Sequence, residues 1–149
     1  MASTDSLIGQ LVADRYRLLE RVGAGAAGAV FVGVDEQGDQ QADRPSGRSV
    51  VVKLLRPQYT ATAETEARFR LEAQIAASLA QPNLNAVYDF GVDDVAGTRL
   101  AFVVSEPLGG ASLRDMLDRG RLLSPSQALM VGLDVCRGLD AMHRAGVIH

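Results

Sequence analysis

Three glycines, a lysine and a glutamate are the residues of this chain whose types and spacing suit the handling of phosphate. Gly23, Gly25 and Gly28 precede Val30 in the pattern G-x-G-x-x-G-x-V. Glycines suit a turn whose backbone must approach phosphate oxygens with its N–H groups pointing inward. The pattern is weak by itself, because the same glycines fit a dinucleotide-binding turn or a plain flexible hairpin. A dinucleotide turn needs a helix to open at the third glycine so that its N-terminus meets the pyrophosphate; here the β-branched Val30, Val32 and Val34 follow Gly28 and read as a strand. Lys53 closes the run Val50, Val51, Val52. An ammonium carried on a strand can reach α- and β-phosphate oxygens from a fixed position, although a lone strand lysine equally fits a solvated edge. Glu72 stands 19 residues further on, beside Ala73 and Ala76, where its carboxylate could orient the ammonium or simply face water.

Those groups need elements to hold them. Residues 16–22 read as a strand with Tyr16, Leu18 and Val22 on one face, and residues 29–34 as a second strand antiparallel to it, with the glycines at the tip. A polar stretch over 35–48, containing Gly38, Pro45 and Gly47, reads as a solvated loop leading to a third strand over 49–55. Residues 62–80 contain no Gly or Pro and carry Phe69, Ala73, Ala76 and Leu79 at helical spacing. Thr62 suits the N-cap of that helix, and Glu64 and Glu66 complement its dipole. Gln81, Pro82 and Asn83 end it. Two strands near 84–90 and 99–105 then flank a turn over 93–97, which makes five strands around one helix. After Gly109 and Gly110 the pattern turns helical. A short helix starts at Ser112 and ends near Gly120, and a long one starts at Ser124, with Pro125 and Gln127 placed for a capping box. Its apolar stripe, Ala128, Val131, Val135, Leu139 and Met142, reads as core, and Gly146 ends it.

A chain of 149 residues, 47% hydrophobic and 22% charged, suits one ordinary globular unit. The net charge of −3 gives no general basic field, so nucleic acid is not an expected partner. No apolar run approaches the roughly 18 to 20 residues of a membrane span, and the N-terminus lacks the basic start of a signal peptide. The expected location is cytoplasmic, with a downstream anchor in a longer parent left open. A single cysteine, Cys136, excludes an internal disulfide framework and a cysteine-based metal cluster. Set among Val131, Val135 and Leu139, it reads as a buried core thiol rather than a nucleophile.

The order of glycine-tipped hairpin, strand lysine, helix glutamate, connecting segment and long helix resembles the N-terminal lobe of the eukaryotic-like protein kinases. The wording of Val52-Lys53-Leu54-Leu55-Arg56-Pro57, Phe69-Arg70-Leu71-Glu72-Ala73 and Leu113-Arg114-Asp115 is similar to their bacterial Ser/Thr branch. The resemblance runs from about Tyr16 to His149 and implies an α+β fold. A flexible leader (1–14) would precede a kinase N-lobe (15–105) of a five-stranded antiparallel sheet with one long helix. A hinge (106–110) and two helices of an incomplete C-lobe (111–149) would follow. The implied ligand is ATP, with Gly23, Gly25 and Gly28 over the triphosphate, Lys53 on the α- and β-phosphates, and Glu72 paired with Lys53. Val30 and Val51 would sandwich the adenine, and Ser105 would be the small residue guarding a back pocket. The backbone carbonyl of Glu106 and backbone N–H of Leu108 would read the adenine; Pro107, between them, has no N–H to offer. Ala76 and Val87 would stack in a regulatory apolar column. The sequence departs from the family at Val51, where Ala is commoner and the added methyls project toward the adenine. Asp89-Phe90-Gly91 spells the family's magnesium motif but precedes the hinge; it reads as the end of the fourth strand and its turn, so Asp89 is assigned no metal.

Gly146-Val147-Ile148-His149 resembles the approach to the catalytic loop H-R-D-x-x-x-x-N, of which only the histidine is present. The resemblance thus implies a serine/threonine protein kinase acting on a protein substrate. The proton-accepting Asp, the Mg2+ ligands and the activation segment are not among these residues, so the 149 residues alone are expected to bind ATP without transferring its γ-phosphate. They also leave the long helix with an uncovered apolar stripe. The alternative, from a different class, is a non-catalytic, pseudokinase-like nucleotide-binding or kinase-regulatory module. A dinucleotide enzyme is the third reading.

Overall fold

The computed structural model describes residues 4–24, 27–37 and 47–148. Gly25 of the glycine pattern, Gly38 and Pro45 of the polar loop, and His149 lie outside the described residues. Six strands form one sheet in the order β1-β2-β3-β4-β6-β5: β1 (Leu11–Val12), β2 (Tyr16–Ala24), β3 (Gly28–Asp35), β4 (Arg48–Leu55), β5 (Val87–Val95) and β6 (Thr98–Ser105). Every pairing is antiparallel. The sixth strand comes from the stretch read as a flexible leader. There Thr4–Leu7 forms a 3-10 turn, and β1 pairs Leu11 and Val12 with Arg17 and Tyr16. A two-residue strand is too short for alternation to reveal, yet Val12 is wholly buried.

The sheet curls until its first and last strands meet. The Ala13 N–H donates to Asp93 Oδ2 at 2.7 Å and the Tyr16 hydroxyl to Asp89 Oδ2 at 2.6 Å. Inside the curl lies the main core, built on Tyr16, Leu18, Phe31, Val52, Phe102 and Val104. Arg15 closes its rim with a two-pronged bond to Asp35, 2.7 Å on each arm. That hydrogen bond, above all, raises the guanidinium further above its usual range. Val22 does not join Tyr16 and Leu18 as alternation predicts and is exposed. Register shifts between Leu18 and Glu20 and between Arg21 and Gly23 add extra residues to β2, and each bulge resets the parity. The β5–β6 connection is also tighter than expected. β5 runs through Asp93 and Asp94 to a buried Val95, and only Ala96 and Gly97 turn, both at positive φ, as a two-residue hairpin requires. The polar pair is the end of a strand, with Asp93 on the face of Leu100, where it accepts from Ala13, and Asp94 on the opposite, exposed face with Arg99.

The helices keep their predicted starts. In α1 (Ala63–Ser78), α2 (Leu113–Asp118) and α3 (Pro125–Arg144), the caps Thr62, Ser112 and Ser124 each accept the N–H of the third helical residue, whose side chain returns the bond. At the far ends, Gly120 and Gly146 take φ values of 71° and 82°. Their N–H groups bond Leu117 and His143, while the next N–H in each case reaches back to Met116 or Met142, which is the Schellman closure. Helix α1 packs Phe69 and Ala73 on the outer face of the sheet against Leu55 and Ala101, with Phe90, Val92 and Val103 around them. Helix α3 buries only Gly138, whose missing side chain lets Asn83 and Leu84 come close. Its apolar stripe is therefore largely open, with Val131, Leu139 and Met142 half-buried and Val135 exposed. Cys136 is exposed as well, so the expectation of a buried thiol is corrected: its turn of α3 points away from the contact at Gly138. Among the described residues, no helix is long and apolar enough to cross a membrane.

Candidate functional site

Strand register decides which side chains share a face. Directly opposed residues point the same way, so the pairings of Gly23 with Val30, Val30 with Lys53 and Lys53 with Val103 make one rung on the outer face. Two residues along, Val32 opposes Val51, Val51 opposes Ser105 and Ser105 opposes Val87, which makes a second rung roughly 7 Å away. Five of the predicted site residues, Gly23, Val30, Val51, Lys53 and Ser105, thus stand in two adjacent rows. Lys53 is exposed, and Val30, Val51 and Ser105 are half-buried. Helix α1 sits on the same face beyond Lys53, over Leu55, Ala101 and Val103.

Gly28 is there for a steric reason. A Cβ on it would lie 2.0 Å from the Leu54 carbonyl oxygen and 2.9 Å from Leu55 Cα, so β3 can approach β4 at that point only as glycine. The glycine that resembles a phosphate-loop residue is therefore also fixed by the strand pairing.

Glu72 and Lys53 are not brought together as an ion pair. Glu72 lies on the flank of the buried stripe of α1 and accepts from Arg68 Nε at 2.8 Å, with its side chain 54% exposed. This bond raises the Arg68 guanidinium above its usual range. Among the described residues, Lys53 makes no ion pair. The local i,i+4 partner on the same helix wins over one that must be reached across the face.

Beyond β6, residues 106–112 run without regular structure to the cap of α2. The Glu106 N–H donates to the Ala86 carbonyl at 3.0 Å, and the Ala86 N–H donates to Glu106 Oε1 at 2.9 Å. Asn85 Nδ2 donates to Ser105 Oγ at 3.2 Å. Among the described residues, the Glu106 carbonyl and the Leu108 N–H take part in no internal hydrogen bond. These are the two backbone groups expected to read adenine. The role of the Glu106 side chain was invisible in the sequence, since nothing in the residue types signals that a carboxylate folds back onto Ala86.

Asp89, Phe90 and Gly91 lie inside β5 rather than at its end. Asp89 takes the Tyr16 hydroxyl on one oxygen and the Phe90 N–H on the other at 2.8 Å. The Phe102 ring fills the space where a Gly91 side chain would stand. This Asp is engaged in the core. Among the described residues, no group of three or more His, Cys, Asp or Glu is placed to hold a metal ion. A groove among the described residues lies elsewhere, between Leu7, Ala24, Leu54, Val95 and Leu100, and is not lined by Lys53, Val51 or Ser105 of the two rungs.

The family model described as protein tyrosine and serine/threonine kinase matches residues 16–149. The chain belongs to the protein kinase family. It is similar to the crystal structure of the Mycobacterium tuberculosis PknI kinase domain, with a TM-score of 0.70 and 26% identity, over 100% of this chain and 55% of that one. It is 37% identical over 139 residues to a Corynebacterium efficiens protein named as a probable serine/threonine-protein kinase, covering 93% of this chain and 20% of the relative. It is 34% identical over 138 residues to the serine/threonine-protein kinase PknB of Mycobacterium leprae, covering 93% of this chain and 21% of the relative. The chain therefore spans about a fifth of the length of these curated relatives and about half of the solved kinase domain. The curled sheet with α1 corresponds to a kinase N-lobe, and α2 and α3 to part of the C-lobe.

Proposed function

We propose that these residues are the ATP-binding part of a serine/threonine protein kinase, which transfers the γ-phosphate of ATP to protein hydroxyls. The observation that carries the reading is the pair of rungs: Gly23, Val30 and Lys53 in one, Val51 and Ser105 in the next. A face with an exposed ammonium, apolar walls and uncommitted backbone groups at Glu106 and Leu108 fits a nucleotide's phosphates, base and amide-like edge. In this reading residues 106–110 are the hinge between the lobes, and ATP supplies the transferable phosphoryl group. Gly25 is assigned to the triphosphate with Gly23 and Gly28 on the sequence pattern alone. Mg2+ accompanies ATP in this reading, and its binding is assigned to the full kinase. The 149 residues alone bind the nucleotide without transferring phosphate, because positioning and charge stabilisation make up this catalysis and the proton-accepting Asp is not among them.

A second reading, a nucleotide-binding regulatory module without catalysis, draws support from Glu72 being held by Arg68 rather than Lys53. That hold is slight: an exposed i,i+4 pair is worth only ~0.3–0.5 kcal/mol, so Glu72 can re-pair with Lys53 once phosphates draw the ammonium inward. Calorimetric titration of the full chain with ATP and with NAD tests the first step. ATP should bind, NAD should not, and Lys53→Met should weaken ATP at least tenfold. Preferential binding of NAD would overturn the nucleotide reading. Incorporation of labelled γ-phosphate into protein serine or threonine by the full-length protein then separates the kinase from the regulatory module.

A further inference from the structure

We infer that the Glu106 side chain is a positioning residue for the nucleotide site, a latch that ties the hinge segment to the loop over 81–86 and so presents the groups that read adenine. The inference rests on the nucleotide reading above and adds a role that the backbone reading of Glu106 does not contain. Two bonds make the latch. The Glu106 N–H holds the Ala86 carbonyl at 3.0 Å, and the Glu106 carboxylate holds the Ala86 N–H at 2.9 Å. Both backbone polar groups of Ala86 are thus bound by one residue, and the second bond is to an ionised acceptor, the stronger kind. With its N–H and one carboxylate oxygen committed to Ala86, Glu106 keeps its backbone carbonyl to offer a ligand, two residues before the uncommitted Leu108 N–H. One residue earlier, Asn85 Nδ2 and Ser105 Oγ, 3.2 Å apart, tie the same two segments a second time.

The other side of the loop is held as well. At Gly138 of α3, a Cβ would come within 3.0 Å of the Asn83 carbonyl oxygen and 3.2 Å of Leu84 Cδ2, so the loop is wedged between the hinge segment and α3. A side chain that closes this wedge fixes where the Glu106 carbonyl and the Leu108 N–H stand relative to Val51 and Val30. Without it, the segment is anchored by the single backbone bond to Ala86 and by the Ser105 tie, and part of the nucleotide's binding free energy goes into ordering it.

The test compares the full chain with Glu106→Ala and Glu106→Gln, measuring dissociation constants for ATP and, by competition, for inorganic triphosphate. The amide oxygen of Gln still accepts the Ala86 N–H, whereas Ala accepts nothing. Glu106→Ala should bind ATP roughly tenfold more weakly, the size of one hydrogen bond to a charged acceptor. Its affinity for triphosphate, which has no adenine, should stay unchanged, and Glu106→Gln should recover most of the loss for ATP. Equal ATP binding by wild type and Glu106→Ala would overturn the latch. So would an equal loss in Ala and Gln, or a parallel loss of triphosphate that marks general unfolding. A wild-type protein that binds triphosphate but not ATP would overturn the adenine reading itself, an outcome distinct from the other three.

Discussion

Replacing Tyr16 by Phe removes one oxygen and leaves the ring in place. Tyr16 is 1% exposed, with its ring centroid 6.3 Å from that of Phe102, and its hydroxyl donates to Asp89 Oδ2 at 2.6 Å. A hydrogen bond to a charged acceptor contributes ~1.5–3 kcal/mol. Asp89 keeps the Phe90 N–H on its other oxygen, so the loss should fall near ~2 kcal/mol. For a unit of this size that corresponds to a fall in Tm of roughly 4–8 °C. Urea and thermal unfolding of wild type, Tyr16→Phe, Asp89→Asn and the double variant give the coupling, which should be at least ~1 kcal/mol for two groups in direct contact. The pH dependence has a definite sign. Burial first, and the Asp89 bond second, push the Tyr16 hydroxyl well above its ordinary value near 10. The folded state therefore favours the neutral phenol. This contribution is complete below pH ~10 and is lost as pH rises through the higher folded value. Tyr16→Phe should lack that alkaline loss. A variant within ~0.5 kcal/mol of wild type, additive effects in the double variant, or an unchanged alkaline profile would refute the argument.

Gly28→Ala should destabilise the fold by at least ~2 kcal/mol and weaken ATP binding with it, since its Cβ would meet the Leu54 carbonyl at 2.0 Å; denaturant unfolding reads the first effect and calorimetry the second. Glu66 sits between Arg70 and Arg99, whose hydrogen bonds hold its carboxyl below the usual carboxylate range. Its contribution is present above pH ~4.5 and lost as pH falls through the lower folded value. An NMR titration should show this, and Glu66→Gln should flatten the acid limb of stability; a Glu66 titrating at its ordinary value would count against the triad. Asp89→Asn should leave the Mg2+ dependence of ATP binding unchanged in the full-length protein, because both carboxylate oxygens already serve the core. A tenfold rise in the Mg2+ requirement would restore a metal role to this misplaced motif.

What the sequence disclosed is what local chemistry determines. Thr62, Ser112 and Ser124 cap helices because their hydroxyls face N–H groups three residues on, and Val30, Val51 and Lys53 share a face because alternation in unbulged strands is a two-residue count. The failures have a different origin. Val22 left its expected face because bulges in β2 reset that count, and β1, two residues paired with the start of β2, is too short for alternation to show. The apolar sequence neighbours of Cys136 point to the core, but burial depends on what packs on each side of α3, and only Gly138 of that helix is fully buried. The same holds for the site. Register put Lys53 beside Val30, while the partner of Glu72 depended on a competition between Arg68 on its own helix and Lys53 across the face, and the Glu106 latch depended on where the loop before β5 came to lie.

Between Val87 and Asp89, β5 carries one residue more than the strand it pairs with. Deleting a residue from a regular strand turns every side group beyond the cut to the opposite face. At Tyr88 the parity works the other way. Without that residue, Val87, Asp89 and Phe90 would follow one another opposite Ser105, Val104 and Val103 in an unbroken ladder, each on the face it already occupies. Asp89 would still point at Tyr16, and Phe90 would still lie under α1. The loss would be the Tyr88 ring, over which the Arg48 guanidinium sits 3.8 Å from the centroid. The protein can thus be shortened by one residue at this position and close the same sheet around the same core.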